Sequence, residues 1–178
     1  TSLYYCINGK INEYMMDLEM NLFAGTATIK ETIGHVSFHI GPKSFFQTNT
    51  RQGKNLYDIT AEYAGLTGTE NVYDLYTGIG SIGQYVAKDA KSVDGIEAIA
   101  AAIDDAKVNA EMNGLDNCTW YAGRTENILT TEFAAKHGRP DVLITDPPRA
   151  GMHPKVIPML LELAAPVIVY VSCNPGTQ

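Results

Sequence analysis

VYDLYTGIGSIGQYV, residues 72–86, runs an apolar, strand-like segment into an acidic residue, Asp74, and then places glycines at 78, 80 and 83. A strand that breaks into a glycine turn and resumes as a helix is the opening unit of a parallel α/β sheet. Outward from it, apolar runs alternate with helical periodicity. The spacing predicts strands over 71–76, 92–97, 118–122, 141–145 and 167–173, separated by helices over about 81–88, 99–112, about 125–137 and 154–164. Such alternation predicts a Rossmann-like sheet with helices on both faces, whose ligands sit beyond the carboxyl ends of the strands. Asp74 to Gly80, Glu97, the segment after Tyr121, Asp146 to Arg149 and Ser172 to Pro175 fall on that edge.

Upstream the pattern differs. Residues 1–48 read as a small antiparallel β unit: Asn8-Gly9 lies between apolar runs as a two-residue hairpin signal, and residues 26–40 alternate around Gly34. Met15, Met16, Met20 and Leu22 are expected to pack within it, and Cys6 and Cys118 to be small core residues. Asn49-Thr50 offers a helix start, Leu56, Ile59 and Tyr63 share one helical face, and Gly65 is a stop. The division is thus a β-rich subdomain over 1–48 and a catalytic domain over 49–178 that is incomplete at its C-terminal end.

The chain has 178 residues, 45% hydrophobic and 19% charged, which suits one α/β domain with a small appendage. Thirteen basic against 20 acidic residues give a net charge of -7, the wrong sign for a surface that grips phosphates unaided. If the substrate is nucleic acid, other segments must supply charge. No apolar stretch approaches a membrane span and no signal-peptide order is present, so the expectation is a cytoplasmic protein with no membrane partner. Three widely spaced cysteines with no C-x-x-C pair suggest neither a disulfide framework nor a zinc cluster, and His35 and His39 lack a third ligand; no metal is expected. A start at Thr-Ser and a stop just after Asn-Pro-Gly read as a fragment.

The glycine spacing fits two adenosine cofactors. A nicotinamide dinucleotide brings an anionic pyrophosphate, which wants bare backbone N–H groups and no nearby carboxylate. S-adenosylmethionine brings a sulfonium and an ammonium instead. Asp74 at the strand end can meet that charge while Gly78 and Gly80 let the backbone pass close, so the acid favours the methyl donor. Glu97, about 20 residues on, suits the ribose hydroxyls of either cofactor. The plainer reading keeps the glycines for the turn alone and Asp74 as a helix cap.

VIVYVSCNP, residues 167–175, ends a buried-type strand in a cysteine followed by turn residues, so the Cys173 sulfur can face the cleft. A thiolate beside a methyl donor suits methylation of a pyrimidine at carbon 5, where addition of sulfur at carbon 6 makes carbon 5 nucleophilic. Asp146, held by the two prolines that follow it, can accept from a base edge or a cofactor, and Arg149 can reach a phosphate. The bland alternative is a rigid loop with a surface arginine.

Together, SFFQTN (44–49), DLYTGIGSIG (74–83), GIE (95–97), DPPRAG (146–151) and VSCNP (171–175) resemble the RNA uracil-5-methyltransferases of bacterial tRNA and 23S rRNA. The resemblance implies an S-adenosylmethionine-dependent enzyme with Cys173 as nucleophile and Asp146 at the junction of donor and base. It places Gln47, Tyr76, Ser81 and Glu97 with Asp74, Gly78 and Gly80 on the donor side, and Phe45, Arg149 and Asn174 on the RNA side. It also implies departures: Thr77 where the family commonly has cysteine, Gly123-Arg124 where it often has Gly-Asp, and a base glutamate that would lie beyond residue 178. A fragment without that base, or without an N-terminal RNA-binding barrel, is expected to bind donor without turnover. The competing classes are a NAD-dependent oxidoreductase, an adenine amino-methyltransferase, disfavoured by Arg149 where an aromatic residue would stack the base, and a non-catalytic RNA-binding relic of the fold.

Overall fold

The computed structural model describes residues 1–178 other than 13, 16, 175, 177 and 178. At the N-terminus β1 (Ser2–Tyr5) and β2 (Asn21–Gly25) pair as an antiparallel ribbon. Among the described residues no two-residue hairpin forms at Asn8-Gly9: Asn8 Oδ1 accepts from Lys10 N at 2.9 Å, closing a local turn, and β1 finds its partner further on, in β2. Met15 and Leu22 are exposed rather than packed, and Met16 lies outside the described residues. The second hairpin forms as expected, β3 (Ile29–Ile33) with β4 (Val36–Ile40), turning at Gly34 with φ 59°.

Helix α1 (Thr50–Ala64) follows, capped by Asn49, whose side chain accepts from Gln52 N, and closed by Gly65 at φ 61°. Its buried face matches the expected one only in part: Leu56 packs against the core. Gly53, Tyr57, Thr60 and Ala64 point inward, whereas Ile59 and Tyr63 are 50% and 72% exposed. A large polar-tipped side chain, Tyr57, goes inside because its hydroxyl finds a partner there, described below.

The remaining elements are β5 (Asn71–Leu75), α2 (Ser81–Val86) with a 3-10 turn over Ala87–Asp89, β6 (Ser92–Glu97), α3 (Ala100–Met112), β7 (Cys118–Ala122), α4 (Thr125–Ile128), α5 (Thr131–His137), β8 (Val142–Thr145), α6 (Val156–Leu163) and β9 (Val167–Tyr170). Where one helix was expected over 125–137 there are two, because Thr130 breaks the run and caps α5 by accepting from Phe133 N. The five late strands form a parallel sheet in the order β7-β6-β5-β8-β9. Val72, Tyr73, Leu75, Val93, Ile96, Leu143 and Ile144 are all buried, as strands covered on both faces require. Strand order reverses between β5 and β8, so a crevice opens beyond their C-terminal ends.

The β3–β4 hairpin shares a core with this sheet: Ile33, Val36, Phe38 and Ile40 cluster with Val72, Ile82, Tyr85 and Val86. Its free edge is closed by α3. Ser37 N donates to Asn113 Oδ1 (3.0 Å) and Asn113 Nδ2 donates back to Ser37 O (2.7 Å). One helical turn away, His39 N donates to Asn109 Oδ1 (2.7 Å) and Asn109 Nδ2 to His39 O (3.1 Å). Alternate strand residues lie about 6.6 Å apart and helix positions four apart about 6 Å, so the two periods run in register. The amides thus act as a substitute strand. No helix among the described residues is long and apolar enough to cross a membrane.

Candidate active site

The glycine loop is tied to the sheet by Asp74. This side chain is 1% exposed, and its Oδ2 accepts from Thr77 Oγ1 and from Gly83 N (2.9 Å). Burial pushes its pKa up to about 7 against the lowering effect of those two bonds. Asp74, expected to meet the donor's positive charge, is buried here with Oδ2 turned onto the loop, which it clamps through Thr77 and Gly83. Gly83 is required by that clamp, since a Cβ there would lie 2.8 Å from Asp74 Oδ2. Gly80, at φ 75°, is required from the same side, because a Cβ would meet the Trp120 ring at 2.6 Å. Thr77, given no role by the sequence, is the hydroxyl that holds the acid.

The upper side of the loop is different. Gly78 has φ 58°, a Cβ there would meet nothing within 4 Å, and its N–H donates to Glu97 Oε2 (3.1 Å). Glu97 Oε1 accepts from Ile99 N (2.9 Å) at the start of α3. Each carboxylate oxygen spends one acceptor site on backbone and retains another. A half-buried acid held this way, beside an open glycine, fits a vicinal diol such as a ribose.

Ser81 Oγ accepts from the Tyr57 hydroxyl (2.9 Å). Burial, with smaller contributions from the charges of Asp146 and Asp74, pushes the Tyr57 phenol up to about 12, so it stays a neutral donor that fixes Ser81. Periodicity alone had put Ile59 and Tyr63 of α1 inward with Leu56, which is why Tyr57 was missed. Tyr76 takes φ 61°, a conformation costly for a bulky side chain, and its hydroxyl accepts from His153 N (3.4 Å) in the loop after β8.

Asp146 follows β8 directly, its N–H donating to Leu75 O (3.4 Å) at the end of β5. The side chain is half-buried, and burial pushes its pKa up to about 6. Arg149 is exposed three residues on. On the neighbouring strand Val171 N donates to Thr145 O (2.8 Å), which carries the pairing past β9 and brings the Ser172–Asn174 segment to the same rim. There Ser172 Oγ donates to Asn174 O (2.8 Å) and accepts from Asn174 N (3.0 Å), curling the chain around Cys173, whose side chain is exposed.

From the hairpin side the loop after β4 delivers Phe45, 75% exposed, and the half-buried Gln47, while Phe46 turns inward onto Phe38 with ring centroids 5.4 Å apart. Gln47 packs where a Cβ on Gly53 of α1 would touch it at 3.2 Å. The rim thus carries a glycine loop, the half-buried acids Glu97 and Asp146 and the exposed Cys173. Among the described residues no group of three or more His, Cys, Asp or Glu could hold a metal ion.

The family profile described as tRNA (Uracil-5-)-methyltransferase matches residues 15–178. An RNA methyltransferase of Bacteroides thetaiotaomicron is 53% identical over all of this chain, which spans 39% of that protein, and one of Porphyromonas gingivalis is 54% identical over all of it, spanning 38%. The Pyrococcus abyssi tRNA (uracil-54, C5)-methyltransferase, solved in complex with S-adenosyl-L-homocysteine, superposes with a TM-score of 0.80 at 34% identity, over 99% of this chain and 42% of that one. The chain therefore spans about two fifths of the length of these relatives, and it belongs to the tRNA (uracil-5-)-methyltransferase family.

Proposed function

We propose that the protein containing this chain methylates carbon 5 of a uridine in RNA, with S-adenosylmethionine as donor and Cys173 as covalent nucleophile. The observation that carries the reading is the exposed thiol of Cys173 on the same sheet rim as Asp146, the open face of Gly78 and the Glu97 carboxylate.

The residues fit the donor. Glu97 would take the ribose hydroxyls, the open backbone of Gly78 and Gly80 would pass beneath the ligand, and Gln47, Tyr76 and Ser81 would border it. When bound, S-adenosylmethionine supplies an electrophilic methyl group. Asp74 contributes at one remove, by fixing the loop.

On the RNA side Phe45 would stack on the extruded uracil, a contact worth ~1–3 kcal/mol, with Arg149 and Asn174 near the backbone and base. The Asp146 carboxylate would accept from the uracil N3–H. The Cys173 thiolate would form a bond to carbon 6, and the displaced C5=C6 π pair would make carbon 5 the nucleophile that takes the methyl group, the donor's S–CH3 bond breaking so that its sulfonium leaves as the neutral thioether. A base then removes the carbon 5 proton, the C5=C6 bond re-forms, and the S–C6 bond breaks to return the thiolate. Substrate choice between tRNA and 23S rRNA belongs to the whole protein.

The test is covalent trapping. RNA carrying 5-fluorouracil at the target blocks loss of the carbon 5 substituent, so the full-length protein should form an adduct stable to denaturation, and Cys173→Ala should form none. An adduct of undiminished yield with Cys173→Ala would overturn the assignment.

A further inference from the structure

The ladder between α3 and β4 does not stop at Asn109. One turn toward the helix start, Asp105 Oδ2 accepts from Gly41 N (3.3 Å) and from Ser44 Oγ (2.6 Å). Residues 37, 39 and 41 thus meet 113, 109 and 105 in turn. The third rung differs from the others. It reaches past the strand to Ser44, the residue before Phe45, and Gly41 admits it only because it lacks a side chain: a Cβ there would lie 2.9 Å from the Asp105 oxygen. Ser44 N also donates to Gly41 O (3.2 Å), so Asp105 holds both ends of a tight turn.

We propose that Asp105 is a positioning residue for RNA capture, acting through Ser44 and Gly41 to aim the Phe45–Gln47 loop at the rim. Phe45 is 75% exposed and has little packing of its own to set its direction, whereas Phe46 next to it is anchored in the core. The orientation of Phe45 therefore depends on how the chain leaves β4, and that exit is what Asp105 fixes. The same helix begins three residues after Glu97, whose carboxylate accepts from Ile99 N at the helix N-cap, so the acid at the end of β6 is tied to the rigid element that carries the brace of the aromatic loop in its second turn. This inference rests on the reading of Phe45 as the residue that stacks on the target base.

Docking of the hairpin does not depend on this rung, since Asn109 and Asn113 supply four bonds of their own. Asp105→Ala in the full-length protein is expected to raise KM for RNA about 5–20-fold, roughly the loss of part of one stacking contact, with donor Kd from calorimetry changed less than twofold. Asp105→Asn offers one carbonyl oxygen that can accept both bonds, so it is expected to restore most of the loss; Ser44→Ala should reproduce part of it. Wild-type RNA KM in Asp105→Ala, or an equal loss of donor and RNA affinity, would overturn the proposal. Phe45→Ala separates the two layers. If it leaves RNA KM unchanged while Asp105→Ala raises it, the stacking role of Phe45 fails and the brace acts through another loop residue.

Discussion

Replacing Asp74 with asparagine should flatten the pH dependence of stability. Burial lifts the folded-state pKa to about 7, from 3.8 in the unfolded chain, which disfavours the ionised form in the fold by about 4 kcal/mol. Because the folded value is the higher, the native state keeps a proton that the unfolded chain releases between about pH 4 and pH 7. Stability is therefore lost as pH rises through that window and levels off above it. Between pH 5 and pH 8 the loss integrates to roughly 2–3 kcal/mol. Asparagine can place its Oδ1 where Oδ2 stands, accepting from Thr77 and Gly83, without titrating. All other groups being common to both proteins, the Tm of Asp74→Asn minus that of wild type should grow by about 5–10 °C from pH 5 to pH 8, at about 2–4 °C per kcal/mol for a domain of this size. Calorimetric melts at several pH values measure it. Parallel Tm curves over that range would refute a buried, protonatable Asp74.

Four further outcomes are expected. Glu97→Gln turns an amide toward Gly78 N or Ile99 N, which are both donors, so donor affinity should fall at least about tenfold by calorimetry. Tyr57→Phe frees Ser81 while keeping the ring in place; stability should drop by about 0.5–1.5 kcal/mol and donor Kd should rise a few-fold with RNA KM unchanged. Asn109→Ala strands the N–H and C=O of His39, at about 1–3 kcal/mol each, and urea unfolding should show a loss of about 2–6 kcal/mol. For Asp146, whose carboxyl titrates near 6, kcat/KM of the full-length enzyme should decline as pH falls through about 6, toward tenfold per unit, and Asp146→Asn should abolish that limb.

Much of the fold was legible because the parallel sheet is buried on both faces. Its strands are plain apolar runs, and β6 and β7 fall at 92–97 and 118–122 as the spacing predicts. Helix α1 was bounded by its caps, Asn49 and Gly65, which are local signals. Its inward face was legible only in part, because the partner of Tyr57 is a serine 24 residues away that no window contains. The same limit explains Asp74. Its place at a strand end was visible, but the direction of its carboxylate is set by Thr77 and Gly83, and a polar residue at a strand end can face either way. Asn8-Gly9 carried a strong local hairpin signal that lost to pairing of β1 with β2, a choice made by more distant chain. Asp105, Asn109 and Asn113 look like an ordinary polar helix stripe, and only the hairpin lying against them reveals their use.

The amide ladder has a consequence for how freely this region can drift in sequence. Because Asn109 and Asn113 grip the main chain of β4 and not its side chains, the seam is blind to which residues occupy positions 37 and 39. Most substitutions there should pass unnoticed by the joint, and proline alone, having no N–H to offer, should unlatch it. Tolerance would thus sit on the strand and intolerance on the helix, an asymmetry that saturation mutagenesis of the four positions would expose directly.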